Sequence, residues 1–111
     1  MDFSLSEEQQ AIRDTAKRFA VDNLAPIAAA LDGGEKQEQY LANLKSLAEL
    51  GFMGLNVDAD SGGCGADTVS FSLTVTEFAR ECAATAVTVS VNNMVAEIIQ
   101  AVGSDAQRAR Y

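Results

Sequence analysis

Apolar side chains recur along this chain mostly at intervals of three and four, the spacing of helices with one covered face. The first such run opens on Ser6-Glu7-Glu8-Gln9. This capping-box pattern makes Ser6 the N-cap and Gln9 its reciprocal partner. Glu7 and Glu8 then stand in the first turn, where the helix dipole favours negative charge. Ile12, Ala16, Phe19 and Ala20 follow at helical spacing, with Arg13, Asp14 and Lys17 on other faces. The predicted helix covers about residues 7–23. Pro26 is expected to break it, because the proline ring disfavours helical angles at Ala25. The alanine-rich stretch 26–31 has the composition of a short helix, and Asp32-Gly33-Gly34 is a break.

A second firm pattern spans roughly 36–50, with Tyr40, Leu41, Leu44, Leu47 and Ala48 as its apolar stripe. Gly51 is placed as the left-handed residue that closes it. A short apolar link, Phe52 to Val57, leads into a segment rich in turn formers: Asp58, Asp60, Ser61, Gly62, Gly63, Gly65 and Asp67. Residues 68–83 read as a third helix through Val69, Leu73, Val75, Phe78, Ala79 and Cys82. Residues 85–102 pull two ways. Val87, Val89 and Val91 alternate and favour a strand by propensity. Met94, Ile98, Ala101 and Val102 continue at helical spacing with no turn signal between, which predicts one long helix closed near Gly103. Ser104-Asp105-Ala106-Gln107 repeats the capping box, so another helix starts near 105. Tyr111 is reached before that helix completes two turns, and so short a helix is unstable by itself, so the natural sequence is expected to continue beyond it. The fold class expected is all-α: a bundle-like domain of four to six helices over residues 1–111, with a central glycine-rich loop.

Charge narrows the function classes. Sixteen acidic residues against eight basic ones give a net charge of −8. Nucleic-acid binding needs a basic face, and docking on anionic lipid needs one too, so neither partner is expected. No apolar run approaches the roughly 20 residues of a membrane span. The N-terminus lacks a basic region followed by an apolar run, which points to a reduced aqueous compartment, most simply the cytoplasm. Cys64 and Cys82 are too few for a disulfide framework, and Cys82 is expected as a small core residue.

The chain has no histidine, which argues against a zinc site and a Ser-His-Asp or Cys–His nucleophile. The aspartates of the 58–67 segment lack the spacing of a calcium loop. Neither GxGxxG nor GxxxxGK[ST] is present to hold a phosphate. Glu77 and Glu81 lie one turn apart and read as a solvated face beside Arg80. No catalytic residue, metal ligand or cofactor ligand is assigned.

Several segments together resemble the acyl-CoA dehydrogenase family. These are Met1-Asp2-Phe3-Ser4-Leu5-Ser6-Glu7-Glu8-Gln9-Gln10, Phe19-Ala20 with Leu24-Ala25-Pro26, and Leu47-Ala48-Glu49-Leu50-Gly51-Phe52-Met53-Gly54. Ser61-Gly62-Gly63-Cys64-Gly65, Glu77-Phe78-Ala79-Arg80 and Gly103 to Tyr111 complete the set, in the family's order. Ser61 stands where a tyrosine is usual, Asn92 where many members carry a histidine, and the prolines before the second helix and after Val57 are missing. The resemblance covers the family's N-terminal helical domain only. It implies a parent enzyme that dehydrogenates an acyl-CoA thioester with FAD and passes electrons to an electron-transfer acceptor. It implies that FAD and the catalytic glutamate belong to other domains, so this chain alone is expected to be inactive and to hold no cofactor. By position, Val87, Ser90, Val91 and Met94 are the expected substrate-binding residues, forming one wall of the acyl pocket. A homo-oligomer is expected from the apolar surface the missing domains leave open. The competing reading is a stand-alone helical interaction module without enzymatic activity.

Overall fold

The computed structural model describes residues 1–111 and contains helices and loops without a β-strand. Helix α1 (Glu7–Phe19) begins as its sequence requires: Ser6 Oγ accepts from Gln9 N, and Gln9 Oε1 accepts from Ser6 N. Its end departs from expectation. Pro26 does not break the helix. The chain passes through a π-helical turn, Ala20–Leu24, straight into α2 (Ala25–Asp32), and Ala25 keeps helical angles at φ −54° and ψ −44°. Ala25 N–H reaches back five residues to Ala20 O. This wider turn makes room for the pyrrolidine ring, which in a regular α-helix would clash with the preceding turn. Backbone carbonyls in the turn find side-chain donors instead: Asn23 Nδ2 donates to Phe19 O (3.3 Å), and Asn43 Nδ2 donates to Asn23 O (2.9 Å).

Helix α3 (Gln37–Glu49) starts after Lys36, which adopts a left-handed φ of 61°, and is closed by Gly51 at φ 87°. A left-handed angle is cheap for glycine because it has no Cβ to meet the following carbonyl. Helix α4 (Thr68–Glu81) is capped by Asp67, whose Oδ1 accepts from Ser70 N (2.8 Å). Helix α4 stops at Glu81 rather than continuing to 83. Cys82 is a single extended residue, φ −153° and ψ 102°, that turns the chain into α5 (Ala83–Val102). Its buried thiol receives the Thr85 hydroxyl (3.3 Å). The strand-forming valines of the last third are all in this long helix. Propensity yields because Val89 is buried in a helix–helix contact while no strand stands beside Val87 and Val91 to pair with them. Helix α6 (Asp105–Arg110) repeats the reciprocal cap, with Ser104 and Gln107 in place of Ser6 and Gln9.

The core joins α1, the π turn, α3, α4 and α5 through Ala16, Ala20, Leu24, Leu47, Phe52, Leu55, Phe78, Cys82, Ala86 and Val89. Phe78 is its hub. It meets Phe52 edge-on at 5.3 Å and Phe19 at 6.4 Å between ring centres, an arrangement favoured by the ring quadrupoles. Alanine at 16, 20 and 86 lets neighbouring helices approach closely. The result is a slab of 40 × 40 × 19 Å, two layers of helix at most in its thin direction.

Candidate functional site

Helix α5 carries the expected site. Residues 87, 91, 94 and 98 share one face at helical spacing, and the opposite face carries Ala86, Val89 and Asn93, all buried. The outward face is therefore Val87, Val91, Met94, Val95, Ile98 and Val102, each exposed, Val87 at 61% and Met94 at 52%. Ser90 is half-buried at the edge. All four expected residues lie together on one side, and none is packed into the core. Val87, Ser90 and Val91 also border a shallow hollow of about 260 Å³ between α4 and α5. Val75 and Ala79 of α4 form its other bank. The sequence reading missed these two. Their apolar i, i+4 spacing on α4 looks like core, and only the packing of α4 beside α5 turns it toward the hollow.

The hollow contains no titratable side chain. Its chemistry is removal of apolar surface from water, which suits a hydrocarbon chain and no acid–base step. The nearest carboxylates on α4 are Glu77 and Glu81. Glu77 does not stand on a solvated face as expected: its residue is 9% exposed, because α4 is packed by α1 on one side and α5 on the other. Glu81 is half-buried and Arg80 is exposed, and no ion pair links them.

A larger cavity of about 430 Å³ lies on another flank of α5, against the 51–63 segment, with Met53, Gly63, Asn92, Gln100, Arg108 and Tyr111 among its lining. Arg108 is held there by Asp105 (2.6 Å) and by Gln100 O (3.3 Å). The aspartates of the turn-rich segment do not assemble: no group of three His, Cys, Asp or Glu side chains is placed to hold a metal ion. Asp67 is engaged as a helix cap and also accepts from Gln9 Nε2 (2.7 Å), tying the starts of α1 and α4 together. These donors, Ser70 N–H first, hold its carboxyl below the ordinary value of 3.8.

Helix α5 is anchored to the 52–58 segment by side-chain amides. Asn93, 1% exposed, donates from Nδ2 to Phe52 O (2.8 Å) and to Val89 O (2.9 Å), and its Oδ1 accepts from Leu55 N (2.8 Å). Asn92 Nδ2 donates to Met53 O (2.7 Å), and Gln100 Oε1 accepts from Asp58 N (2.7 Å). The sequence carries a signal for this anchor: two adjacent amides inside an otherwise apolar helical run need partners if either is buried.

Residues 6–111 match the family described as acyl-CoA dehydrogenase, N-terminal domain. A short-chain-specific acyl-CoA dehydrogenase of Clostridium acetobutylicum is 32% identical over the whole chain and 29% of its own length. Benzylmalonyl-CoA dehydrogenase of Aromatoleum aromaticum is 45% identical over 72% of this chain and 21% of its own. Among solved structures, butyryl-CoA dehydrogenase from Megasphaera elsdenii superposes with a TM-score of 0.85 at 30% identity. A structure described as the electron transferring flavoprotein of Acidaminococcus fermentans gives 0.90 at 33%. Each covers all of this chain, and the chain covers 30% and 29% of them, respectively. The chain thus spans about three tenths of the length of the relatives it matches end to end. It belongs to the acyl-CoA dehydrogenase family, as that family's N-terminal domain.

Proposed function

We propose that this chain supplies one wall of the acyl pocket in an enzyme that dehydrogenates an acyl-CoA thioester, and that it performs no reaction alone. The observation that carries the reading is α5. A helix on a water-facing surface is polar on its outer side, whereas one that is apolar all round belongs inside a larger assembly. Over its 20 residues α5 bears a single charged side chain, Glu97, and its outward face is apolar from Val87 to Val102. Val87, Ser90, Val91 and Met94 contact the acyl chain in this reading. Val75 and Ala79 complete the hollow from α4. The names of the relatives favour a short acyl thioester, and an electron-transfer flavoprotein is the proposed acceptor.

The family implies FAD, which takes the hydride when bound. In this reading the chain contributes no ligand to it. Side-chain caps take one backbone N–H at each of the starts after Ser6, Asp67 and Ser104, and the uncapped starts of α3 and α5 follow no GxGxxG turn, which supports a pyrophosphate site elsewhere. FAD and the proton-abstracting base are assigned to the remainder of the enzyme. The compartment proposed is a reducing one, most simply the cytoplasm, in keeping with two free thiols. No helix is long and apolar enough to cross a membrane.

The test is substitution of Val91 by Asp in the natural polypeptide carrying this domain. A carboxylate buried against the acyl chain is expected to lower kcat/KM for acyl-CoA about 100-fold. Unchanged kinetics would remove α5 from the pocket. Acyl-CoA turnover by the 111-residue chain itself would overturn the assignment of catalysis elsewhere.

A further inference from the structure

We infer that Asn93 is a positioning residue: its amide sets the rotation and height of α5, and thereby aims Val87, Ser90, Val91 and Met94 outward together. The functional consequence rests on the acyl-wall reading above, whereas the geometric claim does not.

A long helix covered only by apolar groups is free to roll or slide by small amounts, because apolar contacts carry little directionality. Helix α5 has this problem in strong form. Both of its faces are mostly apolar, so rolling exposes one apolar stripe and covers another at small net change, and the Thr88 hydroxyl, 2.6 Å from Tyr40 Oη of α3, adds one directional tie near its start. Hydrogen bonds with fixed angles and lengths remove that degeneracy. Asn93 makes three of them from a site 1% exposed, two of which cross to the 52–55 backbone. One uses the acceptor of the amide and the other its donor. A roll of α5 in either direction breaks at least one, and a buried unpaired amide or carbonyl is costly. Asn92 and Gln100 extend the attachment to Met53 and Asp58, so α5 grips the segment at four backbone groups over about two helical turns. The segment itself is held from behind. Gly54 O, Leu55 O and Val57 O accept from Cys64, Ala66 and Gly65 N–H, respectively. Asn93 is therefore tied to a braced backbone, not to a loose loop. Met94, the next residue, lies on the outward face.

Two variants test this. Asn93→Asp keeps the acceptor for Leu55 N–H and replaces both donated bonds by repulsion from Phe52 O and Val89 O. Asn93→Leu keeps the number and branching of side-chain heavy atoms, in a larger side chain, and removes all three. In the 111-residue chain, methyl NMR of Val87, Val91 and Met94 is expected to show shifted and broadened resonances in both variants, while circular dichroism retains the wild-type helix content. In the natural polypeptide, KM for acyl-CoA is expected to rise about tenfold with kcat within a factor of about two. Unchanged methyl resonances in a folded variant overturn the inference, even if melting falls. Shifted methyl resonances with unchanged KM keep the positioning of α5 and overturn the acyl-wall reading instead. If Asn93→Leu does not fold, Asn93→Asp alone decides.

Discussion

Individual side chains differ sharply in how well their polar atoms are satisfied. Thr74 is fully buried on α4, and its hydroxyl has no hydrogen-bond partner. Replacing it by Val keeps the shape and removes an unpaired polar atom. We expect Thr74→Val to raise stability by about 1 kcal/mol, read as an upward shift of the thermal midpoint. Asp67 is the opposite case, a carboxylate whose two oxygens both accept hydrogen bonds. Its folded pKa lies below the ordinary 3.8, so its contribution is complete above that value and is lost as pH falls through the depressed one. Asp67→Asn is therefore expected to melt below wild type near neutrality. The gap should close in acid, below pH 3.8. A constant gap across that range in an acid titration would show that the charge plays no part.

Among the helices, boundaries depend on how each end disposes of its free backbone groups. The starts after Ser6 and Ser104 are legible because each cap lies within four consecutive residues. Pro26 misleads because its neighbours, taken alone, do not show that the preceding turn widens. Asn43, arriving from α3, takes the carbonyl of Asn23 within that turn. Gly103 separates α5 from α6 for a reason other than a left-handed angle: a Cβ there would collide with the carbonyl oxygen of Ile99. We expect Gly103→Ala to displace α6 and to cost roughly 1–3 kcal/mol. Hydrogen exchange should report it as faster exchange across 104–111, with α1 and α4 unaffected.

For the molecule as a whole, surface is the telling quantity. The chain exposes 7016 Å², whereas a folded monomer of its mass exposes roughly 5,900 Å². The difference, about 1,100 Å², exceeds one partner's share of a standard protein interface, roughly 800 Å². A thin slab with an apolar helix on its face cannot cover that surface itself. We expect the isolated chain to associate into dimers or larger species, and Val91→Glu combined with Ile98→Glu to return it to a monomer. Light scattering decides: a monomer in the wild type would show that α5 tolerates water.

Local and periodic features needed only the order of residues along the chain. Helix class, the Ser6 and Ser104 caps and the Gly51 stop follow from spacings of a few residues, whereas which apolar face of α5 turns outward does not. The resemblance in motif order identified the domain. The expected wall residues Val87, Ser90, Val91 and Met94 do share one side of α5. Packing settled what was left, because each remaining feature needs groups far apart in the chain. The path through Pro26 draws on Asn43. The second bank of the hollow needs α4 laid beside α5. The burial of Glu77 needs helices on both sides of α4. The fixed angle of α5 needs a backbone 38 residues away to meet the Asn93 amide, and no period in the sequence records that meeting.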